Sequence, residues 1–305
     1  MAAPEAVIAI FGPTGVGKTS VAIELAERLR ADGEDPVAIS ADALQVYRGL
    51  EVLTGVATPA QQERLEHRLV SFLPVTETFS AGQFAALAHE EIDAALAAGR
   101  RPIVVGGTGL YLQAALTDLD LRPPPPPGVR ERILAEADER GVEALHAELA
   151  ERAPSAAATI EPTDRTRVVR ALELLEMGED PAPGGEDSRL WTAELRRPAV
   201  LAGLTMERER LYEQIDARVD AMNEAGAEEE VRRAHAAGAS PTARKALGFE
   251  ELLRGDVEAM KRRTRNYAKR QLSWMRRLER ASVLDGRGDA ADRLHRLVKE
   301  EEKDL

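Results

Sequence analysis

The chain has 305 residues, of which 44% are hydrophobic and 31% charged, with no cysteine and a formal net charge of −12. A chain of this length predicts about two domains and has ample material for a core. The composition excludes disulfide and thiolate chemistry, and the acidic balance argues against indiscriminate nucleic-acid binding while leaving room for a local basic patch. The sequence has no run of about 18 apolar residues, and Met1 to Ala6 carries no basic segment, so neither a membrane span nor a secretory signal is expected. A cytoplasmic protein is expected instead.

The unbroken apolar run Ala6 to Phe11 reads as a buried parallel strand. It leads into Gly12, Pro13, Thr14, Gly15, Val16, Gly17, Lys18 and Thr19, a full match to G-x-x-x-x-G-K-[ST]. Val21, Leu25 and Leu29 then recur every fourth residue, the stripe of a helix that starts near Lys18 and ends before Gly33. Strand, glycine loop and helix in that order form an anion cradle: backbone N–H groups turn inward and the helix N-terminus adds partial positive charge. Lys18 is expected to pair with terminal phosphates, and the Thr19 hydroxyl to ligate a Mg²⁺ ion bridging them. The loop does not say which polyphosphate it holds.

Pro36 to Ser40 makes a second strand and delivers Asp42 to its C-terminal end, the edge where ligands sit in open parallel sheets. A carboxylate there suits a metal ligand, a general base or a turn cap. Leu69 to Leu73 reads as a further strand. Ser80 and Gln83 have capping-box spacing, Phe79 and Phe84 staple spacing, and Gly99 closes that helix. Pro102 to Tyr111 predicts a buried strand running into a second glycine turn, which places Thr108 beside the first loop.

The run Pro123 to Pro127 marks a boundary. Val129 to Arg140, Glu143 to Ala150 and Asp164 to Met177 read as three helices, and Asp180 to Asp187 as a flexible return. Ala199 to Leu204 resumes the strand pattern, and Leu211, Ile215, Val219 and Met222 stripe a later helix. The expected fold is α/β: a P-loop-containing parallel sheet flanked by helices, formed by residues 1–116 and 199–305, with an all-helical insertion over 117–198. The segment Lys261 to Arg277 holds eight basic and no acidic residues. On a helix Arg263, Arg270 and Arg277 align at heptad spacing, with Tyr267, Trp274 and Leu278 expected to face the core. In so acidic a chain this segregated cluster reads as a face for a polyanion. The five histidines are scattered without metal spacing.

Together these residues resemble the tRNA dimethylallyltransferases. The resemblance rests on Gly12 to Thr19, Asp42 to Gly49, His67 to Leu69, Gly106 to Tyr111, Arg167 to Glu173 and Thr264 to Trp274, in family order along nearly the whole chain. Many family members have Thr-Ala-Lys where this chain has Thr54-Gly55-Val56, and a second His where it has Arg68. The resemblance implies that the phosphate loop, with Arg218 near it, holds the diphosphate of dimethylallyl diphosphate, and that Mg²⁺ assists. It implies that Asp42 is the general base toward the exocyclic amine of an adenosine beside the tRNA anticodon, with Thr108 at the same centre. It further implies tRNA contacts at Asp42, Ala43, Leu44, Gln45 and Thr108, at Arg130, at Thr166, Arg167, Val168, Val169 and Arg170, and at Arg263 and Arg270. The protein is expected to act on the tRNA anticodon arm as a monomer. The competing reading is an ATP-dependent small-molecule or nucleotide kinase, which uses the same loop and Asp42 but leaves the basic helix without a purpose.

Overall fold

The computed structural model describes residues 6–119, 124–182, 194–278 and 281–303. The chain forms two compact units, one of Met1–Leu119 with Ala193–Leu305 and one of Asp120–Thr192. In the first unit the strands are β1 (Val7–Phe11), β2 (Pro36–Ser40), β3 (Tyr47–Arg48), β4 (His67–Arg68), β5 (Leu73–Pro74), β6 (Arg101–Gly106), β7 (Ala199–Thr205) and β8 (Ser282–Asp285). Six of them make one sheet in the order β4-β2-β6-β1-β7-β8, and every pairing within it is parallel. All five residues of β1 and of β2 are buried, because helices cover both faces of such a sheet and no alternation with polar residues is needed.

Strand order reverses at β1: β2 and β6 lie on one side of it, β7 and β8 on the other. A crevice at the C-terminal ends of the strands follows from that reversal. Phe11 pairs with Gly106 and Ser40 with Val105, so β1, β6 and β2 end side by side. Their loops, beginning at Gly12, Gly107 and Ala41, therefore leave from one edge.

The Lys18–Ala31 helix follows β1 and buries Val21, Leu25 and Leu29. Ser80 and Gln83 form the capping box that opens the Ala81–Ala97 helix, and Gly99 takes φ 70° beyond its end. The expected strand at Leu69 to Leu73 is not formed. Leu69 and Ser71 adopt positive φ (59° and 49°), and the chain turns there between β4, on the edge of the main sheet, and β5, which pairs with β3. The Ser71 and Phe72 N–H groups donate to the Gln45 and Val46 carbonyls, so this apolar run is spent on a turn against the Asp42 loop.

The helical unit contains the helices Val129–Arg140, Val142–Arg152, Pro154–Ala157 and Arg165–Glu176 among its described residues. The short Pro154–Ala157 turn was not foreseen in the sequence. Ile133, Leu145, Leu149, Val168 and Leu172 form its core, and the Asp164 carboxylate caps the last helix by accepting from the Arg167 N–H. Thr117 and Leu195 form an antiparallel bridge inside the first unit, so the helical unit is narrower than 117–198. Pro123 and residues 183–187, read as part of the proline boundary and of the acidic return, lie outside the described residues. No helix among the described residues is long and apolar enough to cross a membrane.

Gly106 shows how tightly the three loops are drawn together. A Cβ on it would sit 2.3 Å from the Ala41 carbonyl oxygen and 2.8 Å from the Ala41 Cβ, and backbone cannot swing aside as a side chain would. Gly106→Ala should therefore lower unfolding stability by about 1–3 kcal/mol. Urea denaturation checks this, and an unchanged midpoint would contradict the packing.

Candidate active site

The cradle is organised around Lys18. Gly17 precedes it at φ 95°, a left-handed value that glycine adopts without penalty, and the helix begins at the next residue. The Lys18 Nζ donates to the carbonyls of Gly12 and Pro13, each at 2.9 Å, and so folds the loop around the ammonium. Lys18, Thr19, Asp42, Gln45, His67 and Gly106 line one cavity, which brings the two loops singled out in the sequence together. The Asp42 Oδ1 accepts the Leu44 N–H at 2.9 Å, a local turn that fixes the carboxyl group. The turn-cap reading of Asp42 is thus correct as far as one oxygen goes.

Burial pulls the Lys18 ammonium from its ordinary 10.5 down to about 8; Asp42 resists that fall and Arg218 adds to it. Arg218, on the Arg208–Glu224 helix, is itself lowered by burial and supported by Asp42. Its guanidinium packs on Gly55, where a Cβ would fall 1.7 Å from an Arg218 nitrogen. Two cations and one carboxylate thus share a desolvated site.

Thr108 is the N-cap residue of the Gly109–Leu116 helix, and its hydroxyl lies 3.0 Å from the Tyr267 hydroxyl. Burial pushes Tyr267 up to about 12, with Asp42 adding to the rise and Thr108 and Arg270 opposing it. Thr108, Tyr267 and Asp42 are therefore neighbours.

The core-facing stripe of the basic helix, Val257–Met275, is Met260, Thr264, Ala268, Gln271 and Met275. This corrects the expected stripe in part. Leu278 is buried beyond the helix end, but Tyr267 and Trp274 are only half-buried and flank the second glycine turn, Trp274 lying against Gly109. Arg263 is held by Glu251 at 2.8 Å, Arg265 by Asp216 at 2.5 Å and Lys261 by Asp220 at 2.7 Å. Exposed Arg270 lies over the Tyr267 ring, 5.5 Å from its centre.

Ala43, Leu44 and Gln45 follow Asp42 and are half-buried. The Gln45 carboxamide is committed: its oxygen accepts from the Ser40 hydroxyl at 2.8 Å, and its nitrogen donates to the Thr54 and Gly55 carbonyls. It braces the loop. Within the helical unit Thr166 and Arg167 are exposed, but Val168 and Val169 are 0% and 5% exposed. The side chains of those two valines hold the helix to its core. Arg130 makes a two-point ion pair with the fully buried Glu173 at 2.6 and 2.9 Å, and Arg170 reaches the same carboxylate at 2.9 Å. Burial would raise Glu173, but the hydrogen bonds from Arg130 and Arg170 hold it below its usual range.

Sequence reasoning missed His67, Tyr267, Gln271 and Glu173 as site residues. The His67 Nδ1–H donates to the Leu65 carbonyl at 2.6 Å in the tautomer that forms that bond, and burial lowers its pKa. Gln271 left a readable signal, a polar residue in register with Met260, Thr264, Ala268 and Met275.

No cluster of three or more His, Cys, Asp or Glu side chains suited to a metal occurs among the described residues. The shared cavity offers hard oxygens on Thr19 and Asp42, while those of Ser40 and Gln45 bond to each other. That set suits Mg²⁺, which takes few protein ligands and fills its shell from phosphates and water.

The IPP transferase family model matches residues 45–278. The chain belongs to the IPP transferase family. It is 41% identical over 309 residues to the tRNA dimethylallyltransferase of Thermobifida fusca, covering 96% of this chain and 94% of that one. The corresponding protein of Rhodospirillum centenum is 42% identical over 310 residues, covering 96% and 95%. Among solved structures, the full-length tRNA isopentenylpyrophosphate transferase of Bacillus halodurans matches at 33% identity and TM-score 0.69 over 98% of this chain and 99% of that one. A eukaryotic dimethylallyltransferase acting on tRNA matches at 26% identity and TM-score 0.81 over 99% and 80%.

In this IPP transferase the lowered Lys18 pKa has a measurable consequence. The ammonium is charged below about 8, and an anion in the cradle favours the charged form, so binding takes up a proton as pH rises past that value. Inorganic pyrophosphate affinity of the wild type, referred to Lys18→Met, should fall as pH rises from 7.5 to 9.5, approaching about tenfold per unit above the pKa. Isothermal calorimetry checks this, and a flat difference would remove Lys18 from the anion site.

Proposed function

We propose that the chain transfers a dimethylallyl group from dimethylallyl diphosphate to the exocyclic amine of an adenosine beside the tRNA anticodon, releasing diphosphate. The observation that carries this reading is the shared cavity of Lys18, Thr19 and Asp42, in a chain whose relatives are tRNA dimethylallyltransferases. The loop N–H groups and Lys18 bind the diphosphate, with Arg218 adding positive charge beside them. As the allylic C–O bond breaks, the leaving oxygen gains charge that these fixed donors stabilise without reorganisation. A bound Mg²⁺, held by Thr19, would supply further positive charge to the diphosphate oxygens.

The adenine amine is a weak nucleophile because its lone pair is delocalised into the ring. As the new N–C bond forms, the amine proton passes to the Asp42 oxygen that Leu44 does not occupy. Thr108, oriented by Tyr267, faces the same centre. For the amine to reach the cavity the base leaves its stack, at a cost of a few kcal/mol offset by contacts along the anticodon arm. Arg130, Thr166, Arg167 and Arg170 of the helical unit and the exposed arginines of the basic helix supply them. Arg130 and Arg170 both reach the Glu173 carboxylate, which holds the two guanidinium groups side by side.

The kinase reading gains no support from the relatives, and it gives the basic helix nothing to bind. Transfer of label from dimethylallyl diphosphate to tRNA, compared with transfer from ATP, separates the two; label moving from ATP alone would overturn the proposal.

Asp42→Asn keeps the acceptor for Leu44 but loses the base. It should reduce kcat by about 10² to 10⁴ with tRNA affinity nearly unchanged, and substantial residual turnover would assign the proton to another group. Arg270→Ala should weaken tRNA binding and reduce the salt slope by about 0.7–0.9, the loss of one phosphate contact. Filter binding across a salt series measures this, and an unaltered slope would make Arg270 a purely structural partner of Tyr267.

A further inference from the structure

The side chain of Gln271 belongs to the basic helix yet lies in the glycine loops. It is 4% exposed. Its Oε1 accepts the Thr14 N–H at 2.8 Å, and its Nε2 donates to the Gly107 carbonyl at 2.7 Å. Both ends of the carboxamide are therefore used, and they join two loops that lie 257 and 164 residues away along the chain. Contact with the second loop is close enough that a Cβ on Gly107 would sit 2.3 Å from the Gln271 Nε2 and 3.3 Å from the Lys18 Nζ.

A trans peptide is planar, with its N–H and C=O on opposite sides. When Gln271 draws the Thr14 N–H toward itself, the Pro13 carbonyl of the same peptide is turned the other way, and it is there that the Lys18 Nζ donates to it at 2.9 Å. At its other end Gln271 fixes the Gly107 peptide, which leads directly into Thr108. One turn earlier on the same helix, Tyr267 meets the Thr108 hydroxyl. We infer that Gln271 is a positioning residue for the reaction: by clamping the Thr14 amide to the Gly107 carbonyl it sets the seat of Lys18 and the approach of Thr108. The shape of the anion cradle is thus fixed from the helix that carries the basic face. The inference rests on the reading of this cradle as the diphosphate site.

Two variants test it. A protonated glutamic acid has the donor and acceptor pattern of glutamine, whereas a carboxylate opposes the Gly107 carbonyl; methionine fills the space and offers neither group. With tRNA saturating, the KM for dimethylallyl diphosphate should rise at least about tenfold in Gln271→Met at every pH, because both loop hydrogen bonds are lost. In Gln271→Glu it should approach the wild-type value at low pH and climb as the carboxyl group ionises. The tRNA dissociation constant should be unchanged in both. Wild-type KM in both variants, or equal losses without the added pH dependence in Gln271→Glu, would overturn the inference. Should the methionine variant not fold, the pH profile of the glutamate variant decides alone. If the wild type itself fails to transfer the prenyl group, the prenyl-transfer reading falls instead. Inorganic pyrophosphate affinities of the same proteins, measured over the same pH range, then decide the role of Gln271 by the same pattern.

Discussion

The pairing of Phe11 with Gly106 and of Ser40 with Val105 is the constraint on which the site depends. Side chains alternate along a strand, so a slip of one residue in either pairing would turn every inward group outward and shift a loop along the edge. With the register as it stands, the cradle at Gly12, the turn at Gly107 and the carboxylate at Asp42 leave three adjacent strands at one level. Neighbouring strands lie about 4.8 Å apart, so β1 and β2, which flank β6, are separated by about 10 Å. That gap is what places the glycine loop and the Asp42 carboxylate on either side of a shared cavity.

Charge around the cavity is unbalanced. Lys18 and Arg218 are both lowered by burial, which means that the folded protein holds them charged at a cost. Asp42 offsets part of that cost, but one carboxylate faces two cations. In the proposed reaction a diphosphate would supply the missing negative charge and offset that cost. The same desolvation strengthens each donor aimed at the leaving oxygen, because attraction grows as the effective dielectric falls.

The parallel strands, the phosphate loop and the capped helices were legible because each depends on local pattern: apolar runs, glycine spacing, and Ser80 with Gln83. Asp42 and Thr108 were legible because a parallel sheet sends every loop after a strand to one edge. Leu69 to Leu73 misled, since an apolar run signals burial and not conformation; positive φ at Leu69 and Ser71 is imposed by tertiary hydrogen bonds to the Gln45 and Val46 carbonyls. The core stripe of the basic helix was misjudged because aromatic residues look like core. Tyr267 and Trp274 instead flank the second glycine turn, while polar Thr264 and Gln271 face inward. Thr264 satisfies its hydroxyl on the Met260 carbonyl, and Gln271 does so across 164 residues, a partner no periodicity can reveal.

The basic helix resolves into two sets of charges once its partners are named. Lys261, Arg263 and Arg265 are spent on Asp220, Glu251 and Asp216, and they fasten the helix to its neighbours. Arg262, Lys269, Arg270 and Arg276 are exposed and form no ion pair among the described residues. In a chain with a net charge of −12, a polyanion is repelled by most of the surface and is attracted only where such a set is concentrated. Long-range repulsion and local attraction together select one orientation of approach before any close contact forms. The same helix reaches the glycine loops through Gln271 and Thr108 through Tyr267, so the exposed basic set and the inner wall of the site are carried by one element.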